Sequence, residues 1–304
     1  APNIMEACAK PVTAGHVRYV PGPGLPELRD AIAEEATKRG RPTVREEVLV
    51  TMGAKHALTQ SLLTVVDQGD EVIFPNPGYP PDEFWITYAG GSVIYAPLVE
   101  PDFHFDLDSL QSLITPKTKM LIINSPQRPN GETVGQLEEI AAICRKHGLG
   151  LIEDCAQAAG ASVGGKAVGR FGDIAIFSFQ LNKNMTSGDG GLMVCQDDAL
   201  FRRIVALHDL GYARTPAGRL DTSDEDCQLW GVGARMSELA GAMALAQMRK
   251  LPAITGAMRS SKWRIREALA DIKGLTFRTV PDPAGDTGPF MLMILPDAKT
   301  ADGF

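Results

Sequence analysis

Three short stretches carry side chains whose types and positions could do chemistry. In Thr51-Met52-Gly53-Ala54-Lys55-His56 an apolar run gives way to a helical pattern. Free backbone N–H groups and the positive end of a helix suit a phosphate there, and Gly53 lets it approach closely. The plainer alternative is a glycine that serves only the strand-to-helix turn. Asp154 follows the apolar run Leu151-Ile152 and Glu153. An acid at the carboxyl end of a buried strand sits at the rim where open α/β sheets bind ligands. It could pair with the nitrogen of a pyridinium ring and keep it protonated, or it could simply cap the next helix. Lys183 comes directly after the strand-like Phe177-Ser178-Phe179 and before a glycine-rich turn, Gly188-Asp189-Gly190-Gly191. On a loop over the sheet rim, a desolvated lysine amine can form a Schiff base; in the open it is an ordinary solvated lysine. A phosphate cradle, a ring-nitrogen acid and a lysine at successive strand ends are more telling together than singly.

These residues need a scaffold that brings strand ends together. Short apolar runs at Val48–Met52, Glu71–Phe74, Ser92–Tyr95, Lys119–Asn124, Gly150–Glu153, Asp173–Phe179 and Gly191–Cys195 predict strands. Patterns such as Ala54–Val66 and Gln136–His147, with apolar residues three and four apart, predict helices between them. The alternation predicts an α/β fold with a mostly parallel sheet covered on both faces. No G-x-G-x-x-G or G-x-x-x-x-G-K-[ST] occurs, which removes the usual support for nicotinamide and ATP folds.

After Arg235 the texture changes. A helical stretch runs through Met248, breaks near Pro252 and resumes around Met258–Ala270. Strand-like runs follow near Leu275–Arg278 and Phe290–Leu295. This predicts a large domain over 1–250 and the beginning of a smaller, cut-short α+β domain over 251–304.

The bulk properties narrow the partners. A formal charge of −7 and a pI near 5.3 argue against nucleic acid or an anionic membrane surface. No apolar stretch approaches the length of a membrane helix, and the start lacks the regions of a signal peptide. Five scattered cysteines with no C-x-x-C pair, and histidines without ligand spacing, point to a reduced, metal-free, cytoplasmic protein.

At these residues the chain resembles two related enzyme families. From about Ala1 to Thr133 it resembles class I aminotransferases of the aspartate aminotransferase type. The matching stretches are Arg18-Tyr19-Val20-Pro21, Gly24-Leu25-Pro26-Glu27-Leu28-Arg29, Gly53-Ala54-Lys55-His56-Ala57-Leu58, Pro77-Gly78-Tyr79-Pro80 and Asn124-Ser125-Pro126-Gln127. From about Leu151 onward it resembles the DegT/DnrJ/EryC1/StrS aminotransferases, which mostly act on keto sugars and keto cyclitols. Glu153-Asp154-Cys155-Ala156-Gln157, Phe171-Gly172-Asp173, Phe177-Ser178-Phe179-Gln180, Lys183, Gly188-Asp189-Gly190-Gly191 and Arg235-Met236-Ser237-Glu238-Leu239 carry that likeness.

Both resemblances imply the fold-type I architecture and pyridoxal 5'-phosphate. They imply Lys183 as the Schiff-base lysine and proton shuttle, and Asp154 at the pyridine nitrogen. Gly53, Ala54 and Ser178, with Lys55, hold the phosphate, and Tyr79 stacks on the ring. Tyr19 falls where class I enzymes reach the partner subunit's phosphate, which implies a homodimer. Arg128 stands where class I enzymes place an asparagine on the phenolic oxygen; Gln157 offers a substitute, and Asn130 another after a register change. Gly233 stands near where DegT-type enzymes carry an asparagine for the partner's phosphate, and Asp189 replaces a glutamate.

The ends resemble an excerpt of either family, so a natural fusion, a chimera or a truncated chain is expected. The implied reaction moves an amino group from an amino-acid donor to a keto acceptor, a keto sugar or cyclitol. A class I amino acid/2-oxo acid transaminase is the alternative. A dehydratase on the same fold would replace the lysine with histidine, and a protein that keeps the fold without turnover is the non-enzymatic rival.

Overall fold

The computed structural model describes the chain except Ala1, Ala14, residues 16–19, Pro101, residues 126–133, Pro216 and Phe304. The predicted apolar runs become strands of one sheet: β1 (Val48–Thr51), β2 (Glu71–Asn76), β3 (Ser92–Val99), β5 (Thr118–Asn124), β6 (Gly150–Asp154), β7 (Ile174–Ser178) and β8 (Gly191–Cys195), with a short edge strand, β4 (His104–Phe105). The order is β1-β8-β7-β6-β5-β2-β3-β4. From β7 through β6, β5 and β2 to β3 every pairing is parallel. β8 runs antiparallel to both β7 and β1, and β4 antiparallel to β3.

Near-continuous apolar strands mean that both faces must be covered. The helices in chain order are α1 (Pro2–Thr13), α2 (Pro26–Lys38), α3 (Ala54–Val65), α4 (Pro80–Tyr88), α5 (Leu107–Ser112), α6 (Leu137–His147), α7 (Asp198–His208), α8 (Glu238–Met248), α9 (Leu251–Ala268) and α10 (Ala298–Asp302). Successive strand residues point to opposite faces. Ile73, Leu121, Ile123 and Leu151 therefore pack against Leu137, Ile140 and Ala141 of α6. Val72, Met120, Ile122 and Ile152 pack against Leu58 and Leu62 of α3 and Ile204 of α7. Beyond α6, Val48, Val50, Leu192 and Val194 meet Leu28 and Ile32 of α2 and Ala244 of α8. Each buried Leu or Ile contributes about 1.5–3 kcal/mol, so the three layers hold the strand ends, and the loops on them, in place.

The end of α6 shows how sequence sets these boundaries. Basic Arg145, Lys146 and His147 occupy its last turn, and Gly148 follows with φ 67°, the left-handed cap that glycine adopts without a Cβ penalty. The expected break near Pro252 falls at Arg249 and Lys250, but the helix resumes at Leu251 rather than around Met258, with Pro252 in the first turn of α9. Proline lacks only a donor that a first turn leaves unpaired anyway, so it starts the helix. Beyond α9, Thr276–Phe277 pairs with Met293–Ile294, and the buried Lys262 Nζ meets Asp286 Oδ2 at 2.9 Å. Among the described residues, no helix is long and apolar enough to cross a membrane, and no group of His, Cys, Asp and Glu could hold a metal.

Candidate active site

Strand register lines up the ends of five strands. Thr51 of β1 stands opposite Gly191 of β8, and Gly191 opposite Ser178 of β7. Asp154 pairs with Ile176 on one side and Asn124 of β5 on the other. The loops leaving these ends enclose a cavity of about 430 Å³, within the range of sites for small ligands. Gly53, Ala54, Lys55, Tyr79, Asp154, Gln157, Ser178 and Lys183 all line it.

Gly53, with φ 179°, precedes the first residue of α3. That is extended backbone any residue adopts, so the turn does not require glycine. A Cβ would instead stand 3.5 Å from His56 and 3.6 Å from Asp189, both of which line the cavity. The missing side chain leaves the helix start open to a ligand, and unpaired N–H groups there suit an anion. Buried Ser178 adds a hydroxyl, which accepts from the Gln180 N–H at 3.3 Å. Gly191 ties this cradle to the next strand. A Cβ on it would lie 2.4 Å from the Ala54 backbone nitrogen and 2.6 Å from the Gly53 carbonyl carbon.

Asp154 is partly buried and does not cap a helix, because turns follow it. Its Oδ1 accepts from the Ala156 N–H at 3.0 Å, and its Oδ2 from Asn124 Nδ2 at 2.8 Å. The same Asn124 nitrogen donates to Asp82 Oδ2 at 3.2 Å. Asp82, on the first turn of α4, is fully buried. Burial, and then the charge of Asp154, push its carboxyl well above the ordinary range. It lines the same cavity.

Lys183 sits on the loop between β7 and β8, partly buried on the cavity wall, so it is not a fully solvated lysine. Its N–H donates to the Gln180 carbonyl at 2.9 Å, while Phe179 exchanges bonds with Gly190 and Ser187. These bonds fold the loop back over the strand end. Buried Gln157 also lines the cavity, as does Tyr79, which precedes α4. Sequence reading did not single out Asp82, Asn124, His56, Asn182 or Asp189 as cavity residues. Tyr19, Arg128 and Asn130 lie outside the described residues.

The residues present fit pyridoxal phosphate. A helix start without a Cβ and a buried hydroxyl would suit the phosphate, a strand-end carboxylate the ring nitrogen, and a half-buried lysine lines the same cavity. The sequence pattern of the DegT/DnrJ/EryC1/StrS aminotransferase family matches residues 43–302. The chain belongs to that family. The match begins well before Leu151, so the family pattern runs through the half where class I motifs concentrate. The aspartate aminotransferase of Geobacillus stearothermophilus is 36% identical over 163 residues, 50% of this chain and 40% of that protein. The GDP-perosamine synthase of Vibrio cholerae is 32% identical over 231 residues, 72% of this chain and 59% of that one. The chain thus spans well under two thirds of either relative. The aminotransferase TlmJ of Streptoalloteichus hindustanus shares the fold at a TM-score of 0.82 and 24% identity, covering 99% of this chain and 77% of that one.

Proposed function

We propose that this chain is a cytoplasmic, pyridoxal-phosphate-dependent transaminase that moves an amino group from an amino-acid donor to a keto sugar or keto cyclitol. The observation that carries the reading is one cavity lined by a phosphate cradle, a strand-end acid and a loop lysine. In this reading residues 1–250 form the cofactor-binding unit and 251–304 belong to a smaller one. The acceptor class rests on the family and on the greater share of this chain matched by the perosamine synthase than by the aspartate aminotransferase. An amino acid/2-oxo acid transaminase is the alternative that the aspartate aminotransferase likeness favours.

When bound, pyridoxal phosphate supplies an electrophilic carbonyl carbon and a protonated ring that withdraws electrons from the substrate carbon. The Gly53 and Ala54 N–H groups and the Ser178 hydroxyl would bind the phosphate, with Lys55 adding charge, and Tyr79 would stack on the ring. Gln157 would donate toward the phenolic oxygen, the position for which class I enzymes use the asparagine replaced here by Arg128. Asp154 would accept the ring N–H and keep that nitrogen protonated. Lys183 would be the amine that holds the cofactor, and its Nζ the base that moves the substrate's α-proton.

A homodimer belongs to the same reading. Trp230 is 94% exposed beside exposed Val232, on the segment that pairs at Arg235 with Thr51. Exposed Met52 follows Thr51 and lines the cavity. Exposed apolar side chains such as these suit a second subunit. The test is a half-reaction. Protein loaded with pyridoxal phosphate should lose its visible band with glutamate or glutamine, and a keto sugar should restore it. Restoration by 2-oxo acids alone moves the assignment to the alternative, and a band that no donor bleaches refutes transamination.

A further inference from the structure

The first turn of α4 buries a carboxyl that the reaction above does not use. Asp82 has no solvent exposure. Its Oδ2 accepts from Asn124 Nδ2 at 3.2 Å, and its Oδ1 has no partner among the described residues. An acid in a helix's first turn ordinarily answers the helix dipole from the surface; that does not account for full burial against a second acid. The shared Asn124 nitrogen also donates to Asp154 Oδ2 at 2.8 Å. An amide NH₂ has two hydrogens, and each is committed to one acid. The plane of Asn124 is thereby fixed, and Asp154 cannot turn without losing its bond to it.

We propose that Asp82 is a positioning residue, acting through the shared Asn124 amide to hold Asp154 in the orientation that meets the cofactor's ring nitrogen. This rests on the reading of the cavity given above.

The environment of Asp82 favours its neutral form. Burial and the Asp154 charge on β6 raise its carboxyl, and Glu83, next along α4, adds to the rise. The Asn124 amide on β5 and Lys55 on α3 oppose it. His56, Tyr79, Lys183 and Asp189 are the other ionisable groups on the cavity wall. Neutral Asp82 leaves a single anion for the ring nitrogen. Once ionised, it sets two anions against one amide and displaces Asp154. The arrangement is complete at low pH and lost as the pH rises through the raised value.

The test titrates apoprotein with pyridoxal phosphate across the neutral-to-alkaline range, reading affinity and the position of the visible band. Asp82→Asn keeps the shape and the neutrality. It should bind within about threefold of wild type at neutral pH and lack the alkaline weakening that wild type shows. Asp82→Ala removes one arm of Asn124 and should weaken binding about tenfold, in the range of lost supporting contacts, with a shifted band. Wild-type affinity in Asp82→Ala, or undiminished alkaline weakening in Asp82→Asn, overturns the proposal. The isosteric Asn variant keeps the test decisive if the Ala variant does not fold. Wild-type protein that takes up no pyridoxal phosphate overturns the reading of the cavity itself, whatever stands at position 82.

Discussion

Glu153 and Asp154 are consecutive on β6, so they enter two different regions of the molecule. Glu153 is fully buried beneath a turn, where its carboxylate accepts N–H bonds from Gly169 at 2.8 Å, Phe171 at 2.7 Å and Gly172 at 2.6 Å. Burial raises its pKa, while those three donors and the buried Arg41 guanidinium pull it down. The Arg41 guanidinium has no hydrogen-bond partner among the described residues, so it serves as countercharge. Asp154 accepts from the Ala156 backbone N–H and from the Asn124 amide, which a second acid shares. On its side the unpartnered atoms, Asp82 Oδ1 and Asn124 Oδ1 among the described residues, belong to side chains that line the cavity. The structural acid is closed off by backbone, whereas the cavity's acids keep capacity for a ligand at some cost in stability.

That contrast can be broken by mutation. On the cavity side, Lys183→Ala should abolish the visible band and lower turnover by more than about a thousandfold. The folding free energy should move by less than about 0.5 kcal/mol, as for substitutions outside the core. Asp154→Asn should cost roughly 100-fold in rate, with a weaker loss of cofactor affinity; stopped-flow half-reactions separate the two. On the other side, Glu153→Ala strands three N–H groups and Arg41. Urea unfolding should show a loss of about 3–5 kcal/mol, with the band retained in whatever protein folds. If instead Glu153→Ala abolishes the band without changing stability, the division between the two acids is wrong.

A buried group outside both regions sharpens the comparison most gently. His208 has Nδ1 3.1 Å from Gln60 Oε1 and Nε2 3.1 Å from the Gly22 carbonyl. Among the described residues Gln60 Nε2 lacks a partner, so turning the amide lets it donate to Nδ1 while Nε2–H donates to Gly22. Burial holds this histidine down at about 4. The folded pKa lies below the unfolded one, so its contribution is present above about 6.5 and is lost as the pH falls through about 4. Thermal melts should show up to about 3 kcal/mol of this loss, and it should vanish in His208→Gln.

The sheet was readable because β-branched and apolar runs have few alternatives once helices separate them, and β8 occupies the very residues expected, Gly191–Cys195. Lys183, Asp154 and Gly53 were readable because each follows a strand end, where side chains reach the rim. Asp82 was not. Three residues after Tyr79, at the start of a helix, an acid looks like ordinary dipole compensation, and only packing against β5 and β6 shows it to be buried. Asn124 stood inside a quoted motif, but its role depends on two acids 42 and 30 residues away. The start of α9 was expected too late, around Met258, because a proline's effect depends on which turn of the helix it occupies.

The close approach of Gly191 to Gly53 and Ala54 has a mechanical consequence. Strand reversal at β8 presses the loop that carries the lysine directly against the start of α3, leaving no room for a methyl group between them. The two jaws cannot slide independently, so the span between them acts as a fixed gauge. On the function proposed above, substrates of different length would be accommodated at the open side of the cavity, and selection among donors and acceptors would fall to residues beyond those jaws.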